Sequence, residues 1–185
     1  SLYPENENHD FTELDKTKPD TLYSKQKLIA EKEIKDFSKK YSIEFSILRV
    51  SSAYGFDNRF IEQGVINKWL YDAIKFREIR LLNSKDSKIN FISFDQISKA
   101  IAYSINKRLL GTFNIASQKS VSLEKIINEI ERVTRKKLIL KIINDKKRNI
   151  NIDTSKFYKA TGIKFDNEVI KNIDSIYSSI IKELN

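Results

Sequence analysis

The sequence predicts an α/β fold, with short apolar strands alternating with amphipathic helices. Three observations carry this. Glu44-Phe45-Ser46-Ile47-Leu48-Arg49-Val50 is a nearly continuous apolar run of strand length. Helical spacing of apolar residues precedes it and follows it. Further strand-like runs then alternate with helical stretches towards Asn185, with no internal repeat and no low-complexity linker.

In chain order, residues 1–18 are rich in Asp, Asn, Glu and Thr and read as an irregular loop. A helix is predicted over about residues 19–40, opened by Pro19, its pattern reaching Tyr41. Within it Tyr23, Lys27, Ala30, Ile34, Phe37 and Tyr41 share one face. The strand over residues 44–50 reads as central in a sheet. It ends in the loop Ser51-Ser52-Ala53-Tyr54-Gly55, at the strand end where open α/β sheets bind ligands. A second helix is predicted over about residues 61–76, carrying Val65, Ile66, Trp69, Leu70, Ala73 and Ile74. A short strand covers residues 79–82, a polar turn 83–88, and an alternating, half-buried strand 89–94. Asp95 is placed to cap a helix that runs to about residue 107. Gly111 turns the chain into a strand over 112–115. Ser122 caps a helix to about residue 135, with Ile126, Ile127, Ile130 and Val133 facing inward. A strand follows over 138–143, then a short helix begun by Asp153-Thr154-Ser155-Lys156 and stopped by Gly162, then a last helix over about 167–184.

The chain's 185 residues are enough for one domain with a real core. Without cysteine there is no disulfide and no thiolate metal site. His9 is the only histidine, in a polar stretch where an exposed bystander is the better reading, so no metal site is expected. No run is long and apolar enough to span a membrane and no signal peptide is visible, which favours the cytoplasm. The net charge of +9 is spread along the chain, with acids interleaved at Glu31-Lys32-Glu33 and its densest cluster at Lys146-Lys147-Arg148. Nucleic-acid binding is therefore a weak alternative. The chain has no methionine and begins at Ser1-Leu2-Tyr3-Pro4, which reads as a piece of a longer protein.

One pair stands out chemically. Tyr23 and Lys27 are one helical turn apart, so a phenol and an ammonium are neighbours. The ammonium favours the phenolate, and such a tyrosine can exchange a proton with a substrate hydroxyl. Tyr71/Lys75 and Tyr103/Lys107 have the same spacing, so the surroundings of Tyr23 must distinguish it.

Those surroundings carry a resemblance. Pro19-Asp20-Thr21-Leu22-Tyr23-Ser24-Lys25-Gln26-Lys27 resembles the active-site helix of the extended short-chain dehydrogenase/reductases, the NAD-dependent epimerase/dehydratases of nucleotide sugars. Leu48-Arg49-Val50-Ser51-Ser52-Ala53-Tyr54-Gly55 is similar to that family's strand end, L-R-x-x-N-x-Y-G, with Ser52 where the family has asparagine. Asn90-Phe91-Ile92-Ser93-Phe94-Asp95-Gln96-Ile97 is similar to D-F-I-H-V-D-D-V, with Ile89 at the usual arginine and Lys88 beside it. Gly111-Thr112-Phe113-Asn114-Ile115-Ala116 and Ser1-Leu2-Tyr3-Pro4 resemble two more of its landmarks, in the same order. The four glycines form no glycine-rich dinucleotide turn, so the match begins partway into the family pattern.

The resemblance implies the C-terminal part of a Rossmann-like parallel sheet with a smaller α/β substrate lobe. About residues 1–60 and 90–116 would form the remaining sheet and active-site helix, and about 61–89 and 117–185 the nucleotide-sugar lobe, with the N-terminal dinucleotide-binding half absent. It implies an epimerase, dehydratase or reductase using NAD or NADP, acting on a nucleotide sugar for surface polysaccharide and working as a homodimer. Tyr23 would be the acid/base and Lys27 its partner on the nicotinamide ribose. Ser1 would be the catalytic Ser or Thr. Val50, Ser51 and Ser52 would line the cofactor. Ser52, Ala53, Tyr54, Lys88 and Arg148 would line the substrate. A non-catalytic binding module of the same fold is the alternative reading, and Tyr54, Phe91 and Trp69 also read as plain core aromatics.

Overall fold

A computed structural model describes residues 2–4 and 6–184. Strand β1 (Asn6–Phe11) precedes helix α1 (Leu22–Tyr41), followed by β2 (Ser46–Val50), β3 (Ser52–Tyr54), α2 (Val65–Phe76) and β4 (Glu78–Leu81). Then come β5 (Lys88–Ile89), β6 (Phe91–Ser93), α3 (Phe94–Asn106), β7 (Gly111–Ile115), β8 (Val121–Ser122) and α4 (Leu123–Thr134). The chain closes with β9 (Ile139–Ile142), β10 (Ile150–Ile152), α5 (Ser155–Thr161) and α6 (Val169–Leu184).

The α/β class holds, and the pairing is mostly parallel. β2 runs beside β7 with Leu48 opposite Phe113, β3 beside β6, β4 beside β9, and β1 beside β10. β5 and β8 pair antiparallel. Among the described residues β2 pairs on one side only, and of its five residues only Ile47 is buried, so it is less enclosed than a central strand.

Two apolar cores hold these pairs. The larger gathers Ile66, Leu70 and Ala73 of α2, Ile79 and Leu81 of β4, Ile126 and Ile130 of α4, and Ile173 and Ile180 of α6. Each recurs at helical or strand spacing, which is why these elements were legible. Trp69 packs in the same core and donates its indole N–H to the Arg80 carbonyl at 3.1 Å. The smaller core joins Ile92, Ala100 of α3, Phe113 and Ile115 of β7, and Phe157 and Phe165. The Phe157 ring stacks on Phe165 at 6.0 Å and meets Phe113 edge-on at 6.5 Å.

Several boundaries differ from the sequence reading for local reasons. α1 starts after Thr21 rather than at Pro19, because the Thr21 hydroxyl accepts from the Ser24 N–H while Ser24 Oγ accepts from the Thr21 N–H. α3 is capped by Ser93 with Gln96 in the same reciprocal arrangement, so Asp95 is an exposed first-turn residue and not the cap. The strand over 89–94 divides at Asn90 and is buried on both faces in Phe91–Ser93. The loop after β2 contains β3, and residues 61–64 precede α2 rather than forming its first turn. The sequence pattern does not mark β1 and β10: β1 is polar from Asn6 to Asp10, with Phe11 its one apolar residue and no alternation.

Candidate active site

Tyr23 is the second residue of α1, and Lys27 follows one turn later. The Lys27 ammonium lies over the Tyr23 ring, 5.3 Å from its centroid, a contact worth about 0.5–1 kcal/mol at an exposed site. Tyr23 is 67% exposed, so its hydroxyl is available to a ligand. The Tyr71 ring carries a different ammonium, Lys68, at 5.4 Å.

α1 turns a polar seam to the protein. Ser24 and Glu31 are its buried residues and Leu28 is half-buried between them, one helical stripe apart from Tyr23 and Lys27. Glu31 is held by Arg49 of β2: Nε donates to Oε1 and Nη2 to Oε2, each at 2.8 Å. Arg49 Nη1 donates to the Tyr3 hydroxyl at 2.9 Å, and that hydroxyl donates to Asn114 Oδ1 at 2.7 Å. The Asn114 amide then donates to the Phe11 and Asp153 carbonyls. Burial pushes the Tyr3 phenol up, against the opposing pull of the Arg49 guanidinium. The same burial works against the Arg49 charge, yet its bonds to Glu31 and Tyr3 outweigh it and keep the guanidinium firmly protonated.

This pair also sets the level of the site. From Glu31 back to Tyr23 is eight residues of helix, ~12 Å at 1.5 Å each. From Arg49 on to Ser52 is three residues of strand, ~10 Å. Since α1 leads into the start of β2 and runs back against it, Tyr23 and Ser52 stand at about the same height, at the carboxyl end of β2.

That end is tied together by Asn90, which sequence reading passed over. Its Oδ1 accepts from Ser51 Oγ at 2.9 Å and from the Ser117 N–H at 3.0 Å, while its Nδ2 donates to the Ser117 carbonyl. Ser51 N–H donates to the Ile115 carbonyl and Ser52 N–H to that of Asn90. Val50 and Ser52 are exposed beside Ser51 and Ala53, which are half-buried. Tyr54 is buried, its hydroxyl accepting from Asn172 Nδ2 at 3.0 Å, so its ring packs in the larger core with Phe91. Gly55 follows at φ 153°, where an added Cβ would lie 2.5 Å from the Phe94 ring.

Lys88 and Arg148 are brought to this region through backbone bonds. Lys88 N–H donates to Asn149 Oδ1 at 2.7 Å and to the Arg148 carbonyl at 3.2 Å. The Arg148 guanidinium is 3.6 Å from the Asp20 carboxylate, just ahead of α1. The structure thus gathers the start of α1, residues 51–54, Lys88 and Arg148 around one strand end. α2 starts after Gly64, which stands at φ 87° and gives the helix no side-chain cap. Ser1 lies outside the described residues. His9 belongs to β1 and contacts Asp15 Oδ1 at 2.9 Å, so it is more tied than a bystander.

A shallow groove of about 350 Å³ lies at the other end of α1, lined by Ile34, Phe37, Ile43 and Phe45. Its Ile34 lies eleven residues from Tyr23, ~16 Å along the helix at 1.5 Å each. Among the described residues no group of three or more His, Cys, Asp or Glu is arranged for a metal, and no helix is long and apolar enough to cross a membrane.

Comparison with known proteins gives a family and a fold. The model of the NAD dependent epimerase/dehydratase family matches residues 1–116. A dTDP-4-dehydro-6-deoxyglucose reductase of Escherichia coli is 29% identical over 132 residues, which cover 70% of this chain and 42% of that protein. The UDP-glucuronic acid 4-epimerase of Bacillus cereus, solved with UDP-glucuronic acid and NAD, superposes with a TM-score of 0.87 at 18% identity. The match covers 100% of this chain and 60% of the epimerase. The UDP-N-acetylglucosamine 4-epimerase of Methanobrevibacter ruminantium, in complex with UDP-N-acetylmuramic acid, superposes with a TM-score of 0.83 at 20% identity, over 98% of this chain and 60% of that one. The fold is therefore the Rossmann-like one of these proteins, and the chain spans less than two thirds of the length of each of the three.

Proposed function

Because the chain belongs to the NAD-dependent epimerase/dehydratase family, we propose that it carries the proton-transferring site of an epimerase, dehydratase or reductase of nucleotide-activated sugars. The observation that supports this most is the exposed Tyr23–Lys27 pair at the start of α1, level with the loop that ends β2. In this reading Tyr23 as phenolate takes a proton from a sugar hydroxyl while hydride leaves the same carbon, and as phenol returns one while hydride reaches it. Lys27 holds the nicotinamide ribose. Val50, Ser51 and Ser52 line the cofactor, and Ser52, Ala53, Lys88 and Arg148 line the nucleotide sugar, while Tyr54 anchors that loop in the larger core.

The residues fit the nicotinamide end of a dinucleotide, since Tyr23 and Lys27 are both open to it. Bound NAD or NADP would supply the hydride acceptor and donor. The 185 residues hold no glycine-rich turn for its pyrophosphate. On this reading they are part of a longer enzyme and bind NAD only weakly alone, where calorimetry would find no micromolar affinity. The division into a sheet portion and a nucleotide-sugar lobe, action as a homodimer in the cytoplasm, and use in making surface polysaccharide belong to the same proposal.

The experiment is direct. The full-length protein is incubated with UDP- and dTDP-linked hexoses and either dinucleotide, and products are separated by anion-exchange chromatography and identified by NMR. Conversion of a nucleotide sugar supports the reading. Binding without any conversion contradicts it.

A further inference from the structure

We infer that Glu31 and Arg49 are positioning residues for Tyr23: their buried fork fixes the rotation of α1 about its own axis, and with it the place of the Tyr23 hydroxyl. This rests on the reading of Tyr23 as the proton carrier.

The argument starts from how α1 is held. A helix is ordinarily locked in rotation by a broad apolar stripe pressed into a core. α1 has no such stripe on its buried side: Ser24 and Glu31 are the buried residues of its twenty, with Leu28 half-buried between them. Its large apolar residues Leu22, Ile29, Ile34 and Phe37 face outward, 45–73% exposed. Directional bonds must then do what packing does elsewhere. The Arg49–Glu31 contact is two parallel N–H···O bonds of 2.8 Å, and a planar fork tolerates little rotation.

The strand end of the fork is itself fixed. Arg49 Nη1 is bonded to the Tyr3 hydroxyl, Tyr3 to Asn114 of β7, and Asn114 to carbonyls at the end of β1 and just before α5. The helix is therefore referenced to β2 and β7 together. Burying two charges is a poor way to gain stability, because desolvation consumes most of the attraction and apolar residues of the same size pack as well. What the ion pair adds is geometry. Tyr23 lies on the flank beside the buried seam, about two turns from Glu31. Turning α1 by ~10° moves a group ~6 Å from the axis by ~1 Å. A displacement of that size can slow a reaction by on the order of 100-fold.

The test uses the full-length protein labelled with 3-fluorotyrosine, with the Tyr23 ¹⁹F resonance assigned by its loss in Tyr23→Phe. Two variants are compared with wild type: Glu31→Gln, which keeps size, and Arg49→Lys, which keeps charge but not the fork. Both are expected to shift or broaden the Tyr23 resonance while the other tyrosines distant from Arg49 stay in place. Both should lower kcat about 10- to 100-fold with KM little changed. A Tyr23 resonance unmoved in both variants overturns the inference, whatever the activity. So does full kcat with a moved resonance. If Glu31→Gln does not fold, Arg49→Lys decides; if neither folds, the pair is structural and the inference fails. Resonances moved in the variants, beside a wild type that converts no nucleotide sugar, leave the helix positioning standing and remove the functional reading instead.

Discussion

Arg49 grips Glu31 through both edges of its guanidinium, and both side chains are more than nine-tenths hidden from solvent. Removing one partner leaves the other charge buried alone. Glu31→Ala should therefore lower the unfolding free energy by about 3–5 kcal/mol. Replacing both residues with apolar ones of similar size, Glu31→Leu with Arg49→Met, should cost much less than the single change. Urea unfolding of wild type and these two variants checks this.

That pair also marks the limit of what the sequence discloses. Glu31 sits in Glu31-Lys32-Glu33, which reads as a solvated face, and nothing local distinguishes it from Glu33. The available signal was Arg49, a lone cation inside the apolar strand Ile47-Leu48-Arg49-Val50, which demands a partner once the strand is buried. Tyr23 and Lys27 were legible because the helix alone makes them neighbours. Ile126, Ile130 and Val133 were legible because their period matches α4. β1 was not, because its polar residues earn their strand only by pairing with β10, far along the chain. Asn90 was hidden for a similar reason: its partners Ser51 and Ser117 are distant in sequence.

Asn90 should prove necessary for the strand end. Asn90→Ala leaves the Ser117 N–H and the Ser51 hydroxyl without their acceptor in a buried place. A loss of about 1–3 kcal/mol is expected. Faster amide hydrogen exchange at Ser117 should accompany it, with α6 unchanged.

Stability should fall at high pH through Tyr54. Burial raises its phenol to about 12, partly offset by the bond from Asn172, against about 10 in an unfolded chain. The folded state thus holds this proton more tightly. The contribution is fully present below pH about 10 and is lost as pH rises through about 12. Chemical unfolding of Tyr54→Phe at several alkaline pH values should show a shallower decline than wild type over this window.

The apolar outer side of α1 predicts self-association. Ile34, Phe37 and Tyr41 share one face and are 45–56% exposed. The full-length protein should be a dimer by light scattering at micromolar concentration, and Phe37→Glu should shift it to monomer. A wild-type monomer at high micromolar concentration contradicts this.

The central claim is that the Tyr23 hydroxyl carries the proton. Tyr23→Phe removes one oxygen from a residue 67% exposed, so the thermal midpoint should hardly move. The decisive measurement is turnover of a nucleotide sugar by full-length Tyr23→Phe, beside Tyr71→Phe and Tyr103→Phe, whose tyrosines have the same spacing to a lysine. The account predicts a fall by a factor on the order of 100 to 10,000 for Tyr23→Phe alone. Turnover close to wild type in Tyr23→Phe, or an equal fall in all three variants, would contradict it.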